Sequence, residues 1–334
     1  MSAFTVILIS LSIVFDFLNG VHDSSNIVAT MISSRAFRPS MALGITATAE
    51  FLGPFIFGVA VANTIGNEIV DSSIITVEVL IAALIGAILW NIVTWFLGIP
   101  SSSSHALIGG IMGAVMVGFG ISAVHFSGLY KVLIALFISP VLGLLFGFVF
   151  TKIIFFLSRR ASPRINWFFK RSQIITAIIL AFSHGTNDAQ KTMGVITLGL
   201  VITKVIPIFK VPVWVIAISA GAIAAGTAMG GWRLIKTLGV KFYKIRPVHG
   251  FSTQLASALV ILGASAVGGP VSTTQVVSSA IMGVGAAERV SKVRWTVAKD
   301  IATAWLVTIP TSGIMSAGIY WIMKTIPVFI SIPK

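Results

Sequence analysis

Long apolar stretches alternate with short polar ones from one end of this sequence to the other. Phe4–Leu18, Met41–Ala62, Ile74–Leu97, Val132–Leu157, Val213–Ile235 and Ile301–Met323 are all poor in charge. Most of them approach the ~20 residues that a helix needs to cross the hydrocarbon of a bilayer. They lack the strict two-residue alternation of barrel strands, so helices are the spanning elements that satisfy their own backbone in lipid. The pattern predicts spans near 4–36, 41–62, 74–97, 101–120 and 130–157, then 173–202, 212–235, 250–268, 271–286 and 299–323. The segments 101–120 and 271–286 are either crossings or re-entrant, which gives about 10–12 segments in all. Phe4–Leu18 lacks a basic flank, and polar residues follow it where a small-residue cleavage site would stand. It reads as a retained first helix.

The chain repeats itself. Asn19-Gly20-Val21-His22-Asp23 resembles His184-Gly185-Thr186-Asn187-Asp188, 165 positions on. Pro100-Ser101-Ser102-Ser103-Ser104-His105 resembles Pro270-Val271-Ser272-Thr273-Thr274-Gln275, 170 positions on, and Ile111-Met112-Gly113 matches Ile281-Met282-Gly283 at the same shift. Residues 1–157 and 172–334 are therefore expected to be two copies of one unit, joined by a basic linker at 158–171. An odd number of crossings per copy turns the second copy upside down. The predicted fold is an all-α polytopic membrane protein of two inverted-topology repeats. The repeated motifs interrupt hydrophobic segments, and the helices are expected to break there, near the midplane. Inverted repeats with such breaks are the pattern of secondary transporters, whose sites lie where the broken helices meet.

Composition agrees. The chain is 56% hydrophobic and 10% charged, against about 25% charged in soluble domains. The formal net charge of +14 raises the possibility of nucleic acid, but the basic residues fall between spans. They gather at Arg159–Arg171, Arg233–Arg246 and Arg289–Lys299, the loops expected inside the cell. No nucleic-acid partner is expected, and the basic loops suit anionic lipid headgroups. With Arg35 and Arg38 inside and the Glu68–Asp71 loop outside, both termini fall outside a cell (inner) membrane. There is no cysteine, hence no disulfide framework or thiolate metal site.

The first repeated motif sets Asp23 and Asp188 in apolar surroundings, where an ionisable group costs about 2.5–3.5 kcal/mol on insertion scales. With Asn26, Asn187 and neighbouring hydroxyls they form oxygen-rich sets suited to a hard cation such as Na+. Glu50, inside another span, is either a further cation ligand or the partner of a basic group. Asp16 is placed to support the break at Gly20. Lys191 can bridge to Asp188 or touch an anion. His22, His105 and His184 can titrate or tether helices. The second motif differs in character. Ser101, Ser102, Ser103 and Ser104, and their counterparts Ser272, Thr273 and Thr274, each follow a proline and open an apolar helix. Hydroxyls at a helix start, where backbone N–H groups lack partners, form a site for an oxyanion. Gln190 joins this anion-binding set. Two like-signed groups cannot share a low-dielectric site without cations between them, so cation and anion binding are expected to be interdependent.

Gly20-Val21-His22-Asp23-Ser24-Ser25-Asn26, Phe182–Lys191, Pro270–Thr274 and Ala304–Pro310 resemble signature segments of the inorganic phosphate transporter (PiT) family. The resemblance covers nearly the whole chain, in family order. It implies uptake of inorganic phosphate coupled to Na+ or H+, no organic cofactor, and a homodimer. Family roles carry over to Asp23, Asn26, Asn187 and Asp188 and to the Ser/Thr segments. His22 stands where many members have Asn, and Gln275 where His is common, which leaves the coupling ion and anion selectivity open. A sulfate carrier of the same fold is the nearest rival. A passive pore fits midplane charge less well than alternating access, and a Ser-His-Asp enzyme would not need its groups in duplicate. No nucleotide-phosphate loop is present.

Overall fold

The computed structural model describes residues 2–68 and 75–325. Twelve α-helices and no strands occur among the described residues. The first half contributes α1 (Ala3–Ser33), α2 (Pro39–Phe57), α3 (Ala60–Asn63), α4 (Val77–Leu97), α5 (Ser103–Phe119) and α6 (Phe126–Ser158). The second half contributes α7 (Ile165–Ile202), α8 (Val213–Met229), α9 (Trp232–Val240), α10 (Pro247–Ala266), α11 (Thr273–Glu288) and α12 (Trp295–Thr325). Six of them (α1, α2, α4, α6, α10 and α12) are long and apolar enough to cross a membrane, and α8 with α9 forms a further pair bent by 70°.

The breaks expected at Gly20 and at His184–Gly185 are absent. α1 and α7 run through both motifs as continuous helices of 31 and 38 residues. The glycines serve close approach instead of unwinding. A Cβ on Gly20 would run into the Ile223 carbonyl of α8, and one on Gly185 into the Glu50 carbonyl of α2. The interruptions lie elsewhere: between α2 and α3, at Gly230–Gly231 between α8 and α9, and in the extended segments before α5 and α11. The span expected at 212–235 is thus two helices. The linker is also shorter than 158–171, because α7 begins at Ile165 and takes Lys170 and Arg171 into its first turns. Most of the acidic loop expected at Glu68–Asp71 lies outside the described residues.

Helix contacts come in matched pairs across the two halves. α1 packs on α8 as α7 packs on α2, and α5 on α12 as α11 on α6. In the same way α1 meets α4 where α7 meets α10. Small residues allow the close crossings: Gly113 lies against Gly313, and its counterpart Gly283 against Leu144, beside Gly143. The two most extensive packings, α11 on α6 and α12 on α5, each join one half to the other, so neither half has a separate core. Apolar side chains on α6 and α12, among them Phe137, Val141, Leu145, Leu306 and Ile314, face outward, the surface a lipid environment requires.

The ends of the bundle differ in charge. Ser33, Arg35, Lys244, Arg246 and Arg294 share a depression at one end. Ser2, Thr76, Thr203, Lys204 and Lys324 share one at the other, so the start of α1 and the end of α12 lie together. At the basic end Glu288, the last residue of α11, binds Arg246 at 2.7 Å, His249 at 2.8 Å and Lys292 at 2.7 Å. Partial burial works to raise the Glu288 carboxyl, but the Lys292 hydrogen bond and the His249 and Arg246 charges outweigh it and lower it to about 2.

Candidate functional site at the helix starts

The segments ahead of α5 and α11 enter from opposite ends of the bundle and stop in its middle. α5 leaves its N-cap Ser102 toward the end of α12, and α11 leaves Ser272 along α6 in the opposite sense. Ser102 Oγ accepts from the His105 N–H at 3.1 Å, and Ser272 Oγ from the Gln275 N–H at 3.3 Å. These two hydroxyls are caps. Each proline and cap ends an extended segment and starts a helix within the protein interior, so two positive helix ends meet there. Ser104 Oγ donates to the Val271 carbonyl at 3.2 Å, which joins the two starts directly.

The aspartates arrive on the long helices flanking this junction. Asp23 on α1 accepts from Thr274 Oγ1 at 2.8 Å, and its other oxygen lies 3.2 Å from Thr273 Oγ1. Asp188 on α7 lies 2.9 Å from the same Thr273 hydroxyl. That hydroxyl has one proton to give, so the two carboxylates compete for it. Asn26 donates from Nδ2 to Thr274 Oγ1 at 3.1 Å. Asn187 donates to Ser265 Oγ at 2.8 Å. The amide oxygens of both asparagines are buried with no hydrogen-bond partner. Asp23, Asn26, Asp188, Ser104, Thr273 and Thr274 are thus brought to one place, while Asn187 turns toward the end of α10 and Gly269, and all are buried.

Three expected members stand differently. Ser101 Oγ bonds Thr94 Oγ1 on α4 at 2.7 Å, so it is turned away from the junction. Glu50 on α2 reaches the cluster through His184, whose Nδ1 is 2.7 Å from Glu50 Oε1. Gln190, expected to bind the anion, does not face it. Its Oε1 accepts from the Val61 and Ala62 N–H groups at 2.7 and 3.2 Å, and its Nε2 donates to the Gly58 carbonyl at 2.6 Å. Both ends of this side-chain amide are thus engaged by backbone groups at the α2–α3 interruption. Asp16 does not support a break either: it accepts from Thr192 Oγ1 at 2.5 Å and links α1 to α7.

Two further residues are central: His184, which the sequence does not single out as a ligand, and Lys191, whose expected bridge to Asp188 is present. His184 Nε2 lies 3.1 Å from Asp188 Oδ2 and 3.7 Å from Asp23 Oδ2, so one imidazole stands among three carboxylates. Lys191 Nζ binds Asp188 Oδ1, Ser104 Oγ at 2.6 Å and the Val271 carbonyl at 2.9 Å. Both lie on the Asp188 face of a helix, four residues before it and three after. The three-residue spacing carries the Lys191 bridge, and the four-residue spacing that could have found His184 has meaning only if the segment is helical and not unwound. Ligand atoms of Asp23, His184 and Asp188 lie within 4.8 Å of one another, an arrangement that can hold a cation.

Known proteins share both this sequence and this architecture. The phosphate transporter family (PHO4) matches residues 19–316. A probable low-affinity inorganic phosphate transporter of Bacillus subtilis (strain 168) is 42% identical over 333 residues, covering 96% of this chain and 98% of that one. One of Rhizobium meliloti (strain 1021) is 43% identical over 316 residues, covering 94% and 95%. A solved structure described as the sodium-dependent phosphate transporter superposes with a TM-score of 0.87 at 27% identity, over 97% of this chain and 99% of that one.

Proposed function

As the chain belongs to the phosphate transporter family, a family of multi-pass membrane transporters and not of enzymes, we propose that it imports inorganic phosphate by symport with a cation, Na+ in the first instance. The observation that carries this reading is the convergence of Asp23, His184 and Asp188 on the junction of two helix starts.

Charge explains why both ions are needed. Asp23 and Asp188 flank the junction, with Glu50 behind them on the His184 imidazole and one lysine among them. Phosphate adds one or two negative charges. Two unit charges 4 Å apart repel by about 4 kcal/mol at an effective dielectric of 20, so the anion enters only with a cation bound. The Asn26 and Asn187 amide oxygens and the aspartates offer oxygen donors for it. The backbone N–H groups of Ser103, Ser104, Thr273 and Thr274 have no intrahelical acceptor and, with the hydroxyls, suit phosphate oxygens. A shared site of this kind makes each ion raise the affinity of the other, which is the thermodynamic content of symport.

The rest of the reading follows the matched packing. The halves are inverted repeats, the basic end is cytoplasmic by the positive-inside rule, both termini are outside, and transport proceeds by alternating access around the central junction. The protein acts as a homodimer, which cross-linking in membranes tests. The central experiment is radiolabelled phosphate uptake into proteoliposomes under an inward Na+ gradient, then with K+ for Na+, with and without a pH gradient, and with excess sulfate. Na+-driven uptake that resists sulfate and is lost in Asp23→Asn and Asp188→Asn is the expected result. Uptake driven only by the pH gradient replaces Na+ with H+, and uptake of sulfate alone refutes the phosphate reading.

A further inference from the structure

The repeat is faithful in its scaffold and unequal in its charge. Asp23 and Asp188 correspond at a shift of 165, and so do Asn26 and Lys191. Ser104 and Thr274 correspond at a shift of 170. The contacts respect this symmetry: Asn26 donates to Thr274 Oγ1 at 3.1 Å, and Lys191 donates to Ser104 Oγ at 2.6 Å. Equivalent side chains thus do equivalent work at the two helix starts, but one is a neutral amide and the other an ammonium.

We propose that Lys191 is a tethered cation, fixed in the second half-site where the first half-site takes a mobile one. This rests on the symport reading above and sets how many ions the cycle uses. The ammonium is 2% exposed and directs its three protons to a carboxylate, a hydroxyl and the carbonyl of Val271 in an extended segment. Carboxylate, hydroxyl and a carbonyl freed from helix are the oxygen donors that coordinate Na+ in transporter sites. Here one charged nitrogen fills the position. At the Asn26 side no lysine or arginine among the described residues does so: His22 Nδ1 lies 3.1 Å from Asp23 Oδ1, and the Asn26 amide oxygen stays without a hydrogen-bond partner. The chain therefore co-transports one ion fewer per phosphate than a fully symmetric pair of half-sites would.

The decisive variant makes the halves alike. Lys191→Asn places in the second half the residue that the first half carries. Phosphate affinity is measured by binding to purified protein, and uptake in proteoliposomes, across Na+ concentrations with choline holding ionic strength constant. Below saturation, each tenfold drop in Na+ is expected to weaken phosphate binding to the variant by about tenfold more than to the wild type. The ratio of radiolabelled Na+ to phosphate taken up rises by one ion. Thermal unfolding of Lys191→Asn and wild type is followed in parallel, and a midpoint raised more by Na+ in the variant than in the wild type, and not by choline, supports the proposal even where transport is slow. An equal Na+ response in variant and wild type overturns it while leaving symport intact. A variant unfolded or inactive at every Na+ concentration overturns it too, since sodium then does not replace the ammonium. Wild-type uptake indifferent to Na+ refutes the Na+ reading alone, and the inference then stands if the variant acquires a Na+ requirement.

Discussion

Thr273 offers the sharpest test of how the two halves are held together. Its hydroxyl lies 3.2 Å from Asp23 and 2.9 Å from Asp188, so one proton mediates between carboxylates on α1 and α7. Thr273→Val keeps the shape and removes that proton. Each carboxylate retains other partners: Thr274 and His22 for Asp23, His184 and Lys191 for Asp188. The loss is therefore one hydrogen bond to a charged acceptor, about 1.5–3 kcal/mol. At about 1.36 kcal/mol per decade this is roughly a 10- to 150-fold fall in transport efficiency. Thr273→Ser restores the proton without the methyl and is expected within about threefold of wild type, the effect of a small packing change. The assay is initial phosphate uptake in proteoliposomes at matched protein content. Equal activity in the valine and serine variants would refute the argument, because the hydroxyl would then contribute nothing to holding the aspartates.

Other predictions follow from single contacts. Gln190→Ala frees three backbone groups at the α2–α3 interruption; faster hydrogen exchange at residues 58–62 is expected, with the Na+ dependence of transport unchanged. Gly185→Ala drives a methyl into the Glu50 carbonyl. Overpacking of this kind costs about 1–3 kcal/mol, to be read as a lower thermal midpoint together with loss of uptake as His184 moves off Glu50. At the basic end, Glu288 has its carboxyl lowered to about 2. A carboxyl depressed on folding contributes stability that is present above its unfolded value and lost as pH falls through the folded one. After allowance for solvent screening this is about 1 kcal/mol. Thermal midpoints of wild type and Glu288→Gln are expected to differ at neutral pH and to converge as pH drops from about 4.5 toward 2.

Hydropathy locates the elements well because it reports the solvent each segment meets. The span expected at 74–97 is α4 at Val77–Leu97, and that expected at 299–323 lies within α12. It misleads at the motifs for the same reason. His22–Asn26 and His184–Lys191 are polar islands in apolar runs, and polarity there reads as a broken backbone. Their partners are side chains and backbone groups of other elements, which satisfy them without unwinding α1 or α7. The residues that do mark a turn, Gly230 and Gly231, disappear into one apolar span because neither is hydrophilic. The serine tracts are legible as helix starts, since proline, hydroxyl and apolar run all point the same way. Which hydroxyl caps and which reaches the other helix start is not, because Ser102 and Ser104 differ only in their direction around the first turn.

The differences between the repeats carry more chemical information than their likeness. On the proposed reading, a duplicated scaffold supplies two packings of comparable energy for a protein that alternates between two states. It does not specify what loads. In the alignment of the halves Asn19 corresponds to His184, His22 to Asn187 and Asn26 to Lys191. The second half therefore gains an imidazole and an ammonium, and the first half an imidazole only. Glu50 then binds His184 at 2.7 Å, adding a carboxylate to the side that holds the extra ammonium. On the proposed reading each departure moves charge between protein and solute. Where the chain supplies the positive charge itself, the ion gradient supplies less, and less driving force is coupled to each phosphate. Exchanging Asn26 for Lys extends the argument to the other half: Asn26→Lys is expected to flatten the remaining Na+ dependence of phosphate binding. A Na+ response as steep as that of the wild type in a folded Asn26→Lys protein would show that charge at these two positions does not set the ion requirement.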